Sequence, residues 1–63
     1  MSVHISTTAH EGLYIHAVHN DKKYLGAYWK NKEGDWEVEL ISGIGWDCID
    51  SPEMALEMIL ENS

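Results

Sequence analysis

The chain has 63 residues and a formal net charge of −7, and its one cysteine is Cys48. This length predicts one domain over residues 1–63 with a small core, since a chain of about 60 residues buries only ~60% of the surface that it exposes when unfolded. The lone cysteine excludes an intrachain disulfide and zinc sites of the CxxC type. Four lysines are too few for the basic stripe that binding to nucleic acid or to an anionic membrane requires.

The first predicted elements are β-strands joined by short turns. "VHIST" (Val3–Thr7) is a candidate edge strand, and "LYIHAVHN" (Leu13–Asn20) alternates apolar and polar residues as a half-buried strand does. The polar turn "NDKK" separates it from "KYLGAYWK" (Lys23–Lys30), a run rich in aromatic residues. "WEVELI" (Trp36–Ile41) then alternates with period two, which predicts a further strand.

The hairpin between the last two runs has a predicted register. If its loop is Asn31–Gly34, whose glycine suits a left-handed loop position, Lys30 pairs with Asp35. One face of the sheet then carries the apolar residues Leu25, Ala27, Trp29, Trp36, Val38 and Leu40. The opposite, exposed face carries Tyr24, Tyr28, Lys30, Glu37 and Glu39. Tyr14 and His16 join this exposed face only if the preceding hairpin loop has an odd number of residues.

The C-terminal part predicts a helix after an ambiguous segment. The two glycines of "SGIGWDCID" indicate a bend or bulge, although Ile44, Trp46 and Cys48 would suit a short fourth strand. In "DSPEMALEMILEN", Ser51 suits the N-cap and Pro52 the first helical position. The complete pattern predicts an α+β fold: an antiparallel three- or four-stranded β-meander with one C-terminal α-helix packed on one face.

The predicted helix has a wide apolar surface. The face best placed to lie on the sheet consists of Met54, Ala55, Met58 and Ile59. Leu56 and Leu60 extend the apolar arc beyond the ~100° that packing on one side requires. Either the sheet curls around the helix, or Leu56 and Leu60 contact a second chain. The second option predicts a homodimer.

The residues that most often carry chemistry are poorly placed for it. His16 and His19 point to opposite sides of a strand, so they cannot hold one metal ion together. Asp47 and Asp50 flank Cys48 and are expected to raise the pKa of its thiol, which weakens it as a nucleophile. We therefore expect a protein without enzymatic activity, metal or cofactor.

Acidic residues are concentrated in the second half of the chain. Residues 1–32 hold four lysines and two acids, for a net charge of +2, whereas residues 33–63 hold nine acids and no lysine or arginine, for −9. This asymmetry predicts a protein partner with a basic surface, although solubility alone is an alternative reason for the charge. One predicted contact group is the acidic stripe Glu53, Glu57 and Glu61, with Asp47 and Asp50 at the start of the helix. The other is the exposed sheet face with Tyr24, Tyr28, Glu37 and Glu39.

Two resemblances bear on function. In size and charge the chain is similar to small acidic inhibitors of bacteriophages and mobile elements, among them anti-restriction and anti-CRISPR proteins. This resemblance implies a protein that occupies the basic surface of a nucleic-acid-handling enzyme by imitating nucleic acid. The segment "DSPEMALEMILEN" resembles the passage from a strand end into a helix in small antitoxins of the HicB type, which implies a homodimeric antitoxin-like or regulatory module.

The sequence also predicts where the protein is found. "MSVHISTTAH" lacks the basic region and apolar run of a signal peptide, and no apolar stretch approaches the ~20 residues needed to span a bilayer. A lone cysteine is typical of a reducing compartment. We therefore expect a cytoplasmic protein.

Overall fold

The computed structural model describes residues 2–62, which form one antiparallel sheet followed by one helix. The elements are β1 (Val3–His10), β2 (Leu13–Asn20), β3 (Lys23–Lys30), β4 (Trp36–Leu40), β5 (Gly45–Ile49) and α1 (Pro52–Glu61). The strand order in the sheet is β1-β2-β3-β4-β5. The α+β class and the C-terminal helix are thus confirmed, but the prediction of three or four strands was wrong. Five strands form because the first and last candidate segments both pair with a neighbour.

Two tight turns define the first two hairpins. Glu11 and Gly12 both have positive φ (51° and 81°), as a two-residue type I′ hairpin turn requires. Asp21, with φ of 57°, begins the two-residue turn between β2 and β3. Because this second loop has an even number of residues, Tyr14 and His16 do not lie on the same side as Tyr24.

The loop between β3 and β4 has five residues, where the sequence analysis predicted four. Asn31 donates its backbone N–H to the carbonyl oxygen of Asp35 at 2.8 Å, and Lys30 therefore lies opposite Trp36. The side chain of Asn31 explains the longer loop. Its Oδ1 accepts hydrogen bonds from the backbone N–H groups of Glu33 (2.9 Å) and Asp35 (3.0 Å), which keep Asp35 out of the strand.

This difference of one residue reverses the predicted faces of β3. Tyr28, predicted to be exposed, pairs with Val38 and is only 7% exposed. Trp29, predicted to lie in the core, pairs with Glu37 on the opposite face. Leu25 still reaches the core because it is an extra residue in β3, at the point where the pairing with β2 shifts register.

The core lies between α1 and one face of the sheet. Its buried members are Val18, Leu25, Tyr28, Val38, Leu40, Ile49, Ala55 and Ile59. Two of the four helix residues predicted to face the sheet, Ala55 and Ile59, are fully buried, and Met58 is half-buried. Met54, the fourth, is 48% exposed, so that part of the prediction was wrong. The helix begins as predicted, because the Oγ of Ser51 accepts a hydrogen bond from the backbone N–H of Met54 at 3.2 Å.

The helix contacts β3, β4 and β5 and leaves two surfaces of the sheet uncovered. On the helix side, Val3 and Ile5 of β1 remain 40% and 42% exposed. The other surface is the face opposite α1, here called the open face. Among residues 2–62, no helix is long and apolar enough to cross a membrane.

Candidate binding surfaces

The open face carries a depression that combines a tryptophan with carboxylates. Its defining residues, here called the acidic sheet face, are Trp29, Glu37, Glu39 and Asp47. Trp46 also lines the depression, although its cross-strand partner is the core residue Val38. Trp29 and Glu37 are cross-strand partners on β3 and β4, and the indole Nε1–H of Trp29 donates to Oε2 of Glu37 at 3.3 Å. This bond holds the carboxylate beside the indole ring, so the depression offers negative charge and aromatic surface together.

A second depression continues the acidic sheet face toward the β3–β4 loop. Its lining residues are Leu13, Asn31, Lys32, Glu33, Glu37 and Asp47, so Glu37 and Asp47 belong to both depressions. The loop that carries Glu33 is held by the hydrogen bonds to Asn31, and by a further one from the N–H of Gly34 to the Asn31 carbonyl at 3.2 Å. The charge on this loop therefore has a defined position.

Negative charges in this region raise the pKa of the Cys48 thiol. The neighbouring Asp47 raises the pKa of Cys48 most strongly, and Asp35 and Glu33 add to the effect. The sequence analysis named Asp47 and Asp50 as the cause. The structure confirms the effect of Asp47 on this pKa. The other charges that raise it are those of Asp35 and Glu33 in the β3–β4 loop. Carboxylates from two separate segments of the chain thus act on one exposed atom.

The two tyrosines of the predicted exposed face are separated by the sheet. Tyr24 lies with His19 outside the core and is 37% exposed; burial raises the pKa of its hydroxyl, and the charge of Glu39 adds to the shift. Tyr28 is in the core, where burial raises its pKa, with a smaller effect from Glu53. Tyr28 therefore cannot contribute exposed contact area, which corrects its place in the predicted group.

The predicted acidic stripe on α1 is present and surrounds an apolar depression. Glu53, Glu57 and Glu61 are exposed, and between them lie the half-buried side chains of Leu56 and Leu60. Asp50 is exposed just before the helix. Asp47, which the sequence analysis assigned to this stripe, instead lines the depressions that contain Glu37.

Among residues 2–62, the carboxylates of the second half have no ion-pair partner. In the part of the chain that the structure describes, the one ion pair joins His10 and Glu11. Their side chains are exposed, and Nε2 of His10 lies 3.9 Å from Oε2 of Glu11. None of the nine acids in residues 33–61 is paired with a lysine among residues 2–62. Their charges are therefore available to an external partner.

His16 and His19 lie on opposite sides of the sheet, as predicted. His16 accepts or donates a hydrogen bond with Oγ1 of Thr7 at 2.9 Å, and its ring stacks on Tyr28 with 4.9 Å between centroids. His19 stacks on His4 at 5.0 Å on the other side. Each ring thus serves the packing of its own face.

Sequence reasoning missed the tryptophan of the acidic sheet face. It placed Trp29 in the core through the four-residue loop and considered Trp46 only as part of a short strand. The signal that places Trp29 correctly is Asn31, whose side chain favours the longer loop. A comparison with family models, curated proteins and solved structures finds no match for this chain.

Proposed function

We propose that this protein is a non-enzymatic binding protein that uses the acidic sheet face to occupy a basic surface of a protein partner. The observation that carries the proposal is the position of carboxylates without ion-pair partners beside Trp29, on the face that α1 leaves uncovered. An array of this kind can engage a cation by charge and by desolvated aromatic contact at the same time.

Arginine and lysine side chains are the groups that fit this surface. Glu37 and Glu39 project from alternate positions of β4, and Asp47 approaches from β5. Carboxylates accept paired hydrogen bonds from a guanidinium group, and indole rings attract a cation over their faces. A partner loop or helix that presents several arginines is therefore the expected ligand.

A nucleic-acid-handling enzyme is the partner class that we favour. Such an enzyme carries a basic cleft that neutralises phosphates, and rigid surface carboxylates can take the place of those phosphates. The rigidity comes from the hydrogen bonds that hold the β3–β4 loop, and from the positions of Glu37 and Glu39 in a strand that is paired with β3. On this proposal the protein acts as an inhibitor by nucleic-acid mimicry.

Several observations support binding rather than catalysis. The thiol of Cys48 has a raised pKa, which lowers the fraction of reactive thiolate at neutral pH. The depressions of the acidic sheet face are open to solvent, so they exclude water poorly from any reacting group. Both features suit a surface that docks on a partner.

The proposal is tested by a pull-down from native host lysate at low and high salt, followed by titration of the captured partner. The variant Glu37→Lys/Glu39→Lys is compared with Glu57→Lys/Glu61→Lys, because both change the net charge by the same amount. We expect a partner whose binding weakens as salt rises and is lost in the first variant only. Binding that is independent of salt would refute the proposal, and equal losses in both variants would remove the assignment to the sheet face.

The alternative function is a homodimeric antitoxin-like or regulatory module that associates through Leu56 and Leu60. The apolar depression on α1 favours it, whereas the surrounding Glu53, Glu57 and Glu61 oppose it, since a two-fold contact there brings six carboxylates together. A Leu56→Lys variant that turns a dimer into a monomer in sedimentation would support this module. A dimer that survives the substitution would exclude it.

A further inference from the structure

Within residues 2–62, no strand pairs with the outer side of the edge strand β1. All eight of its residues, Val3–His10, are exposed, and none of them belongs to the buried core. Its pairing with β2 is unbroken, from Val3 opposite Asn20 to His10 opposite Leu13. The strand is therefore long and regular along an edge that faces solvent.

The hydrogen bonds of the first hairpin fix which groups of β1 point outward. Asp21 donates its backbone N–H to the carbonyl oxygen of Ser2 at 2.8 Å, which makes Ser2 and Asp21 a hydrogen-bonded pair. Because such pairs alternate along an antiparallel ladder, the even-numbered residues of β1 bond to β2. The N–H and C=O groups of Val3, Ile5, Thr7 and Ala9 consequently lie on the free edge.

The two edges of the sheet differ in their protection against strand pairing. Edge strands usually carry charges, proline, bulges or short lengths that prevent association. β5 has five residues, includes Asp47, breaks its register with β4 and contains Cys48 at a φ of 59°. β1, "VHISTTAH", has eight residues and none of these features. The β5 edge is thus protected against pairing with another strand, whereas the β1 edge is not.

We propose that β1 pairs antiparallel with β1 of a second copy of this chain, which joins two sheets into one of ten strands. Charge argues for a second copy. β1 contains no Asp, Glu, Lys or Arg, so two such strands meet without repulsion. The acids of β4 and β5 lie three or more strands away, or about 15 Å at ~4.8 Å per strand, which is beyond the ~8 Å screening length at physiological salt, and α1 lies over β3, β4 and β5 rather than beside β1.

The two-fold symmetry of such a dimer determines its geometry. In a continuous antiparallel sheet, the symmetry axis is perpendicular to the sheet and a residue near the middle of β1, Ser6 or Thr7, faces its own copy. Both helices then lie on one side and both acidic sheet faces on the other. The outward groups of β1 form about six to eight backbone hydrogen bonds across the interface. The half-exposed Val3 and Ile5 of each copy lose solvent contact there.

Sedimentation of the purified protein at micromolar concentration tests this inference without any partner. The variant Thr7→Pro removes an outward N–H from each copy while sparing the ladder to β2. Its matched control, Thr7→Val, keeps the N–H and loses the same hydroxyl contact with His16. We expect the native protein and Thr7→Val to be dimers and Thr7→Pro to dissociate at least tenfold more readily. Far-ultraviolet circular dichroism verifies that the variants fold.

A second variant keeps the test decisive if Thr7→Pro fails to fold. Ile5→Lys leaves the backbone intact and places two ammonium groups at the interface, so it is also expected to give a folded monomer. A native protein that is monomeric overturns the inference, as does a dimer that persists in a folded β1 variant or depends on Leu56. The proposed function is independent of these results, because capture of a basic partner does not require the dimer.

Discussion

The burial of Tyr28 gives a direct test of the register between β3 and β4. Tyr28 and Tyr24 are four residues apart on one strand, but Tyr28 is 7% exposed and Tyr24 is 37% exposed. Replacing a buried aromatic residue with alanine costs about 3–5 kcal/mol of unfolding free energy. A domain of this size has roughly 3–9 kcal/mol in total. Tyr28→Ala is therefore expected to remove a third or more of the stability, whereas Tyr24→Ala costs about 1 kcal/mol.

Urea unfolding followed by tryptophan fluorescence measures this difference. With a slope of about 1–2 kcal/mol per molar urea, Tyr28→Ala lowers the midpoint by roughly 1.5–5 M or leaves the protein unfolded in buffer. Tyr28→Phe keeps the ring stacked on His16 and should cost under about 1.5 kcal/mol. Losses of only about 1 kcal/mol in both alanine variants would mean that both tyrosines lie outside the core, and the five-residue loop would then be wrong.

Three further predictions concern single positions. Gly26→Ala should cost about 1–3 kcal/mol in urea unfolding, because a Cβ there would lie 2.7 Å from the backbone carbonyl oxygen of Glu39; a neutral substitution would contradict this close approach. Ser51→Ala should cost about 1 kcal/mol through loss of the N-cap while Ser51→Asp retains stability, and equal losses would exclude a capping role. The thiol of Cys48 should react with a disulfide reagent at neutral pH more slowly than free cysteine, since Asp47 raises its pKa. Asp47→Asn should accelerate it, and an unchanged rate would remove Asp47 as the cause.

Local signals predicted much of the fold. The alternation of β2 and β4, the N-cap at Ser51 and the end of the helix near Asn62 agree with the structure. Each depends on residues within a few positions of one another, where propensity and capping act. The candidate segments "VHIST" and "SGIGWDCID" both contain strands, and the decision between strand and bend came from pairing with a neighbour.

The register of β3 could not be predicted because two small effects decide it. Asn31 adds one residue to the loop, and the extra residue Leu25 then restores the core position at the other end of the strand. A four-residue loop satisfies the apolar pattern about as well, since Ala27 and Trp29 are themselves apolar. Sequence composition indicated how acidic the surface is. The assignment of each carboxylate to a face required the register.

The strand order of this sheet also has a kinetic consequence. Each strand pairs with the next one in sequence, and α1 docks on the three strands that precede it. Closing such short loops loses little chain entropy, so we expect folding that is fast for a β-rich protein. Since the buried cluster contains no residue of β1, that strand can fray from β2 without opening the core. In an isolated protomer, its amide hydrogens should therefore be among the first to exchange with solvent deuterium.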